Sequence, residues 1–200
     1  MGRILIALFC CWGSIVQAQS LLILGDSLSA GYQMPVEKSW PALLQVRWQS
    51  EGQSYRVINA SISGETTQGA MARLPSLLEE HKPDWVLIEL GANDGLRGFP
   101  PPVTERNLKG LIDGSQQAGA RVILTQIRLP PNYGARYTQQ FERLYPTLAQ
   151  EYKLPLLPFF LDEIALRPEL MMNDGIHPKA EAQPRIRDQV ADFLAPLLVQ

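Results

Sequence analysis

Short apolar runs alternate along the chain with longer stretches of mixed polarity. The runs occupy residues 21–24, 55–58, 85–90, 121–127 and 154–160. Most are continuous rather than alternating, the pattern of strands covered on both faces. The stretches between them carry helical spacing: Trp40, Leu43, Leu44 and Arg47, then Leu74, Leu77 and Leu78. Near the end, Ile186, Val190, Phe193, Leu194 and Leu197 fall on one stripe, suited to a helix packed on a sheet. Gly25, Gly64, Gly91 and the cluster Pro130-Pro131-Asn132 each follow a run and supply turn chemistry. Five strands alternating with helices predict an α/β fold built on a parallel sheet with right-handed crossovers. A strand order of 2-1-3-4-5 would bring the loops after the first three strands together, where such sheets bind ligands.

The first residues predict something other than a strand or helix of the fold. Met1-Gly2-Arg3 is a short basic start, and Ile4 to Trp12 is an almost unbroken apolar run. Val16 and Ala18 then stand three and one residues before a signal-peptidase cut, so residues 1–18 read as a secretory signal peptide. The run is shorter than the roughly 20 residues a membrane-spanning helix needs. A lipoprotein anchor at Cys10 or Cys11 is disfavoured, because Phe9 is bulky where a small residue belongs. The expectation is therefore a periplasmic or secreted protein without a stable membrane anchor, its single domain spanning residues 19–200.

Composition narrows the chemistry. Both cysteines lie within residues 1–18, so a mature chain has neither a disulfide framework nor a thiol nucleophile. The formal net charge is −2, and the Lys and Arg residues form no run, which argues against a nucleic-acid partner. The histidines, His81 and His177, lie far apart with no ligand cluster beside them, so we expect no metal and no cofactor.

The polar residues that carry chemistry follow the predicted strands. Gly25-Asp26-Ser27-Leu28-Ser29 follows the first, and Asn59-Ala60-Ser61-Ile62-Ser63-Gly64 the second. Gly91-Ala92-Asn93-Asp94 follows the third, and Asp174-Gly175-Ile176-His177-Pro178 the fifth. Acyl transfer needs a nucleophile, a base, a group that holds the base, and donors for an oxyanion. Ser27, His177 and Asp174 can fill the first three roles. The Ser27 N–H, the Gly64 N–H and the Asn93 side-chain amide can form the oxyanion hole. Asp174 and His177 are three residues apart, so one turn can hold both, one imidazole nitrogen on the carboxylate and the other towards Ser27.

In order, Gly25-Asp26-Ser27-Leu28, Gly64, Gly91-x-Asn93-Asp94 and Asp174-x-x-His177 resemble the four blocks of the SGNH (GDSL) hydrolases. Ser27-Leu28-Ser29-Ala30-Gly31-Tyr32, Gly95-Leu96-Arg97-Gly98-Phe99 and Leu129-Pro130-Pro131-Asn132-Tyr133-Gly134 extend the likeness to the bacterial thioesterase and lysophospholipase members of that family. The resemblance implies a three-layer flavodoxin-like fold with sheet order 2-1-3-4-5 and helices on both faces. It also implies a Ser27–His177–Asp174 set, an oxyanion hole from Ser27, Gly64 and Asn93, and hydrolysis of small acyl esters and thioesters, lysophospholipid included, by a monomer. The chain order Ser, Asp, His is shared with α/β-hydrolases, but their G-x-S-x-G elbow is missing around Ser27.

Competing readings exist for each residue. Ser27 can cap a helix, and Asp26 and Asp94 read better as carboxylates bonding loop N–H groups than as catalysts. Ser61 and Ser63 suit turn backbone, Glu89 a buried position with a partner, and His81 a solvated helix end. Leu129, Tyr133 and Ile176 are candidates to line an acyl groove, with plain packing as the alternative. A flavodoxin-like module cradling phosphate on the loop after strand 1 would not need His177 with Asp174. A phosphorelay receiver would want a lysine after strand 5, where Pro158-Phe159-Phe160 stands. Within the enzyme class, a carbohydrate O-deacetylase is the alternative. Arg97 and Arg128 lie on predicted site loops without forming a cluster, so binding energy should come from the acyl chain rather than a nucleotide.

Overall fold

The structure is a computed structural model that describes residues 19–198; the predicted signal peptide, residues 1–18, lies outside the described residues. Strands β1 (Gln19–Gly25), β2 (Tyr55–Asn59), β3 (Trp85–Glu89), β4 (Arg121–Thr125) and β5 (Leu156–Leu157) form one sheet. Its order is β2-β1-β3-β4-β5, and every pairing is parallel. The helices are α1 (Ser27–Ala30), α2 (Trp40–Ser50), α3 (Thr67–His81), α4 (Ala92–Leu96), α5 (Pro101–Gln117), α6 (Ala135–Glu142), α7 (Leu144–Tyr152) and α8 (Gln183–Leu198).

The continuous apolar runs are explained by two cores, one on each face. Successive strand residues point to opposite sides. Leu21 and Ile23 of β1, Leu87 of β3 and Ile123 of β4 therefore pack with Trp40 and Leu44 of α2 and with Ile186, Val190 and Leu194 of α8. Leu22, Leu24, Val86, Ile88, Val122 and Leu124 take the other face, against Leu74 and Leu78 of α3 and Leu108, Leu111 and Ile112 of α5. Every one of these side chains is buried.

The fifth strand departs from expectation. Residues 154–160 read as a strand, yet only Leu156 and Leu157 pair as one. Pro155 and Pro158 bracket them, and a proline has no N–H to give to a ladder. The pairing is therefore short: at its ends the Pro155 carbonyl takes a bond from Leu124 N (3.1 Å) and the Leu157 carbonyl one from Gln126 N (2.8 Å). The freed residues Phe159, Phe160 and Leu161 turn inward instead, and Phe160 and Leu161 are buried.

Candidate active site

The turn after β1 is held by side chains on both sides of it. Asp26 caps α1, its carboxyl accepting from Leu28 N (3.0 Å), so Ser27 begins the helix with its hydroxyl free to project. The Asn93 amide on α4 donates to the other oxygen of Asp26 at 3.1 Å. Below them Glu89, the last residue of β3, accepts from Ser29 Oγ at 2.7 Å and faces Asp26 N at 3.4 Å. Asn59, at the end of β2, donates from Nδ2 to the Ser29 carbonyl (2.8 Å) and accepts from Ser61 N (3.1 Å). The ends of β1, β2 and β3 are thus joined under Ser27 by a polar network that is buried at Asp26 and Glu89 and opens to solvent at Asn59.

His177 reaches this turn from the other end of the chain. Its Nε2 lies 2.9 Å from Ser27 Oγ and its Nδ1 2.7 Å from Asp174 Oδ2. The second Asp174 oxygen accepts from Ile176 N (2.9 Å) and His177 N (3.0 Å), so the Asp-x-x-His turn is tied by its own carboxylate. Partial burial pushes the Asp174 carboxyl up, but the His177 amide, the His177 ring and the Ile176 amide together outweigh it. The net effect holds Asp174 below the ordinary carboxylate range. It therefore stays ionised and can fix the imidazole with Nδ1 protonated and Nε2 as the acceptor facing Ser27.

The Tyr32 ring stacks on the imidazole, with centroids 4.1 Å apart and planes 27° from parallel. Sequence reasoning passed over Tyr32 as a site residue, although Gly31 signals the turn that brings it back. Gly31 ends α1 in the left-handed region (φ 80°).

Gly64 lies in a β-turn closed by Glu65 N to Ile62 O at 3.1 Å, with Gly64 at φ 79° and Ser63 at negative φ. That combination is a type II turn, whose third position requires a positive φ and so favours glycine. The turn is anchored by Ile62 N to the Gly25 carbonyl (3.1 Å) and by Arg97, which donates to the Gly64 carbonyl at 3.0 Å. Among the described residues, neither Ser27 N–H nor Gly64 N–H has an acceptor, and Asn93 spends one of its two amide hydrogens on Asp26. These are the three donors expected for an oxyanion.

A cavity of about 320 Å³ opens beside Ser27 and His177, lined by Asn93 and largely by apolar side chains. Leu129 and Ile176 line it, along with Leu96, Phe159, Leu161 and Met171. Tyr133 is not among the lining residues. The residue is 37% exposed and its hydroxyl donates to the Leu96 carbonyl at 3.0 Å, so it braces the wall from outside. Arg128 lines the cavity and pairs with Asp162 at 3.2 Å. Asp94 is buried and accepts from both the N–H and the hydroxyl of Thr67 at the start of α3, a carboxylate at a helix N-terminus. His81 sits at the end of α3 with Glu80 3.8 Å away and does not line the cavity.

Comparison with known proteins identifies the relatives of the chain. Residues 23–184 match the GDSL-like Lipase/Acylhydrolase family. The chain is 55% identical over 190 residues to an arylesterase of Vibrio mimicus, covering 95% of each chain. It is also 55% identical over 181 residues to thioesterase 1/protease 1/lysophospholipase L1 of Escherichia coli (strain K12), covering 90% of this chain and 86% of that one. Among solved structures, the psychrotrophic esterase EstA from Pseudoalteromonas sp., inhibited by monoethylphosphonate, superposes with a TM-score of 0.89. It is 46% identical, covering 91% of this chain and 100% of the other. With a family match over most of its length and relatives this similar across nearly all of it, the chain is an ester-hydrolysing enzyme that belongs to the GDSL-like lipase/acylhydrolase family, the SGNH hydrolases.

Proposed function

We propose that the protein hydrolyses acyl esters and thioesters through an acyl-enzyme on Ser27. The observation that carries this reading is the line of contacts Asp174–His177–Ser27, at 2.7 and 2.9 Å, at the mouth of an apolar cavity. His177 takes the hydroxyl proton through Nε2 as Ser27 attacks the acyl carbon. Asp174 keeps the ring oriented and stabilises the imidazolium. Ser27 N–H, Gly64 N–H and Asn93 Nδ2 receive the negative charge that develops on the carbonyl oxygen. The imidazolium then protonates the departing alcohol or thiol. A water molecule, deprotonated by His177 in its turn, releases the acid.

The cavity supports an acyl chain rather than a sugar as the bound group. Burying each CH₂ there contributes up to ~0.8 kcal/mol, whereas a sugar would want hydrogen-bonding partners that Leu96, Phe159, Leu161 and Met171 do not offer. Arg128 is a cation at the wall, already paired with Asp162, and supplies no phosphate-binding cluster. Aryl esters, acyl thioesters and lysophospholipids, named for the relatives, are therefore the substrates to test. We further propose that residues 1–18 are a cleaved signal peptide and residues 19–200 one domain, acting as a monomer outside the cytoplasm. Among the described residues no helix is long and apolar enough to cross a membrane.

Rates measured on purified protein with a lysophospholipid, an aryl ester, an acyl thioester and an acetylated sugar test the substrate class. The first three should be turned over and should quicken as the acyl chain lengthens from four to ten carbons. Faster turnover of the acetylated sugar than of any long-chain ester would make the enzyme a deacetylase.

A further inference from the structure

Two carboxyl groups are buried beside each other beneath Ser27, and the chemistry above uses neither. Asp26 is 1% exposed and Glu89 is fully buried. Among the described residues no Lys, Arg or His pairs with either of them. The groups facing them from each neighbouring element are acids or a phenol. Asp94 comes from α4, Glu65 from the turn after β2, and Tyr145 from α7. A pair of unpaired charges in such a place is too costly to persist, so at least one carboxyl must hold a proton.

The hydrogen bonds identify which. Asp26 accepts from a backbone amide and from the Asn93 side chain. Glu89 accepts on one oxygen only, from Ser29 Oγ and, at longer range, from Asp26 N. Its other oxygen, Oε1, is buried with no partner among the described residues, as is Ser61 Oγ. An ionised Glu89 would leave a charged oxygen without a donor. The neutral acid leaves only a hydroxyl. The packing around it is tight: a Cβ on Gly25 would stand 2.8 Å from both Glu89 Oε2 and Ser61 Oγ.

We propose that Glu89 is a positioning residue for the nucleophile, and that it works as the neutral acid. Its carbonyl oxygen receives the Ser29 hydroxyl and steadies the Asp26 amide. That fixes the first turn of α1, and with it the hydroxyl and N–H of Ser27. Burial drives both carboxyls upward, Asp26 to about 7 and Glu89 well above its usual range; the charges of Asp94 and Glu65 raise Asp26 further, and that of Asp26 raises Glu89. Ionising Glu89 would put a second negative charge behind the oxyanion donors, where it opposes the transition state.

The inference rests on Ser27 being the nucleophile for its kinetic part, but not for its spectroscopic part. Glu89→Leu removes the acceptor and should lower kcat by about tenfold or more with KM nearly unchanged, since positioning acts on the reaction rather than on the acyl chain. Glu89→Gln keeps a carbonyl for Ser29 and carries no charge, so it should restore kcat to within about threefold of the parent. If Glu89→Leu fails to fold, Ser29→Ala removes the same bond from the partner's side and should lower kcat about fivefold. Infrared difference spectra between the parent and Glu89→Gln, taken at about pH 9 where Asp26 is ionised, should show a protonated-carboxyl band in the parent only. A parent without that band, or a Glu89→Gln variant as slow as Glu89→Leu, would overturn the proposal. A Ser27→Ala enzyme that kept its activity would instead overturn the nucleophile assignment and leave the infrared result standing.

Discussion

At the scale of the residue, the proposed roles of Asp174, His177 and Asn93 differ in kind and so should fail differently. His177 transfers the proton, while Asp174 only orients and stabilises the ring. His177→Ala should therefore cost more in kcat than Asp174→Asn, and the opposite order, measured under saturating substrate, would contradict the assignment. Asn93→Ala removes one oxyanion donor and should lower kcat by about 10²–10³ with little change in KM. A rise in KM at constant kcat would make Asn93 a ground-state binding residue. The Asp–His turn was legible in the sequence because a spacing of three lets one carboxylate cap the turn and hold the ring. Tyr32 was not, because stacking on an imidazole leaves no spacing signature. Glu89 was legible as a buried acid, but its partner was not, since a contact between the end of β3 and α1 depends on where the turn after β1 points the Ser29 side chain.

At the scale of the element, apolar continuity revealed β1, β3 and β4 because both faces of each are buried, while the edge strand β2 is only half-buried. It overstated β5, where the same apolar continuity runs through two prolines that cannot donate to a ladder. Tyr133 shows the same limit. Its place in an apolar loop beside the site suggested a lining role, but the phenol turns outward to find a carbonyl acceptor. Helix α7 supplies a bond that apolar periodicity did not predict. The buried Tyr145 hydroxyl donates to the Leu90 carbonyl at 3.0 Å, pinning the end of β3 just before Gly91 and α4. Tyr145→Phe leaves that carbonyl buried without its donor and should cost about 1–3 kcal/mol of stability. Urea unfolding of the two proteins checks this, and an unchanged midpoint would mean that the carbonyl finds another donor.

At the scale of the whole molecule, the buried acids under the site set how stability depends on pH. An acid whose folded value is raised binds its proton more tightly folded than unfolded. Its contribution is fully present below the unfolded value, near 3.9 for aspartate, and is lost as pH rises through the folded value, about 7 for Asp26. The urea midpoint of the parent should therefore fall between pH 5 and pH 8 by more than that of Asp26→Asn, which keeps the cap to Leu28 N but cannot ionise. Parallel profiles would show that Asp26 is not raised. The larger claim is that folding makes one reactive centre from the first strand end and a turn 150 positions later. The most direct measurement is covalent trapping with a long-chain alkyl phosphonate aryl ester, read by intact mass and peptide mapping. One adduct, on Ser27, is expected. It should be absent in Ser27→Ala, whose kcat should fall by about 10⁴ or more with the fold intact. An adduct on any other residue, or a folded Ser27→Ala enzyme keeping more than about a tenth of the parent's activity, would contradict the account.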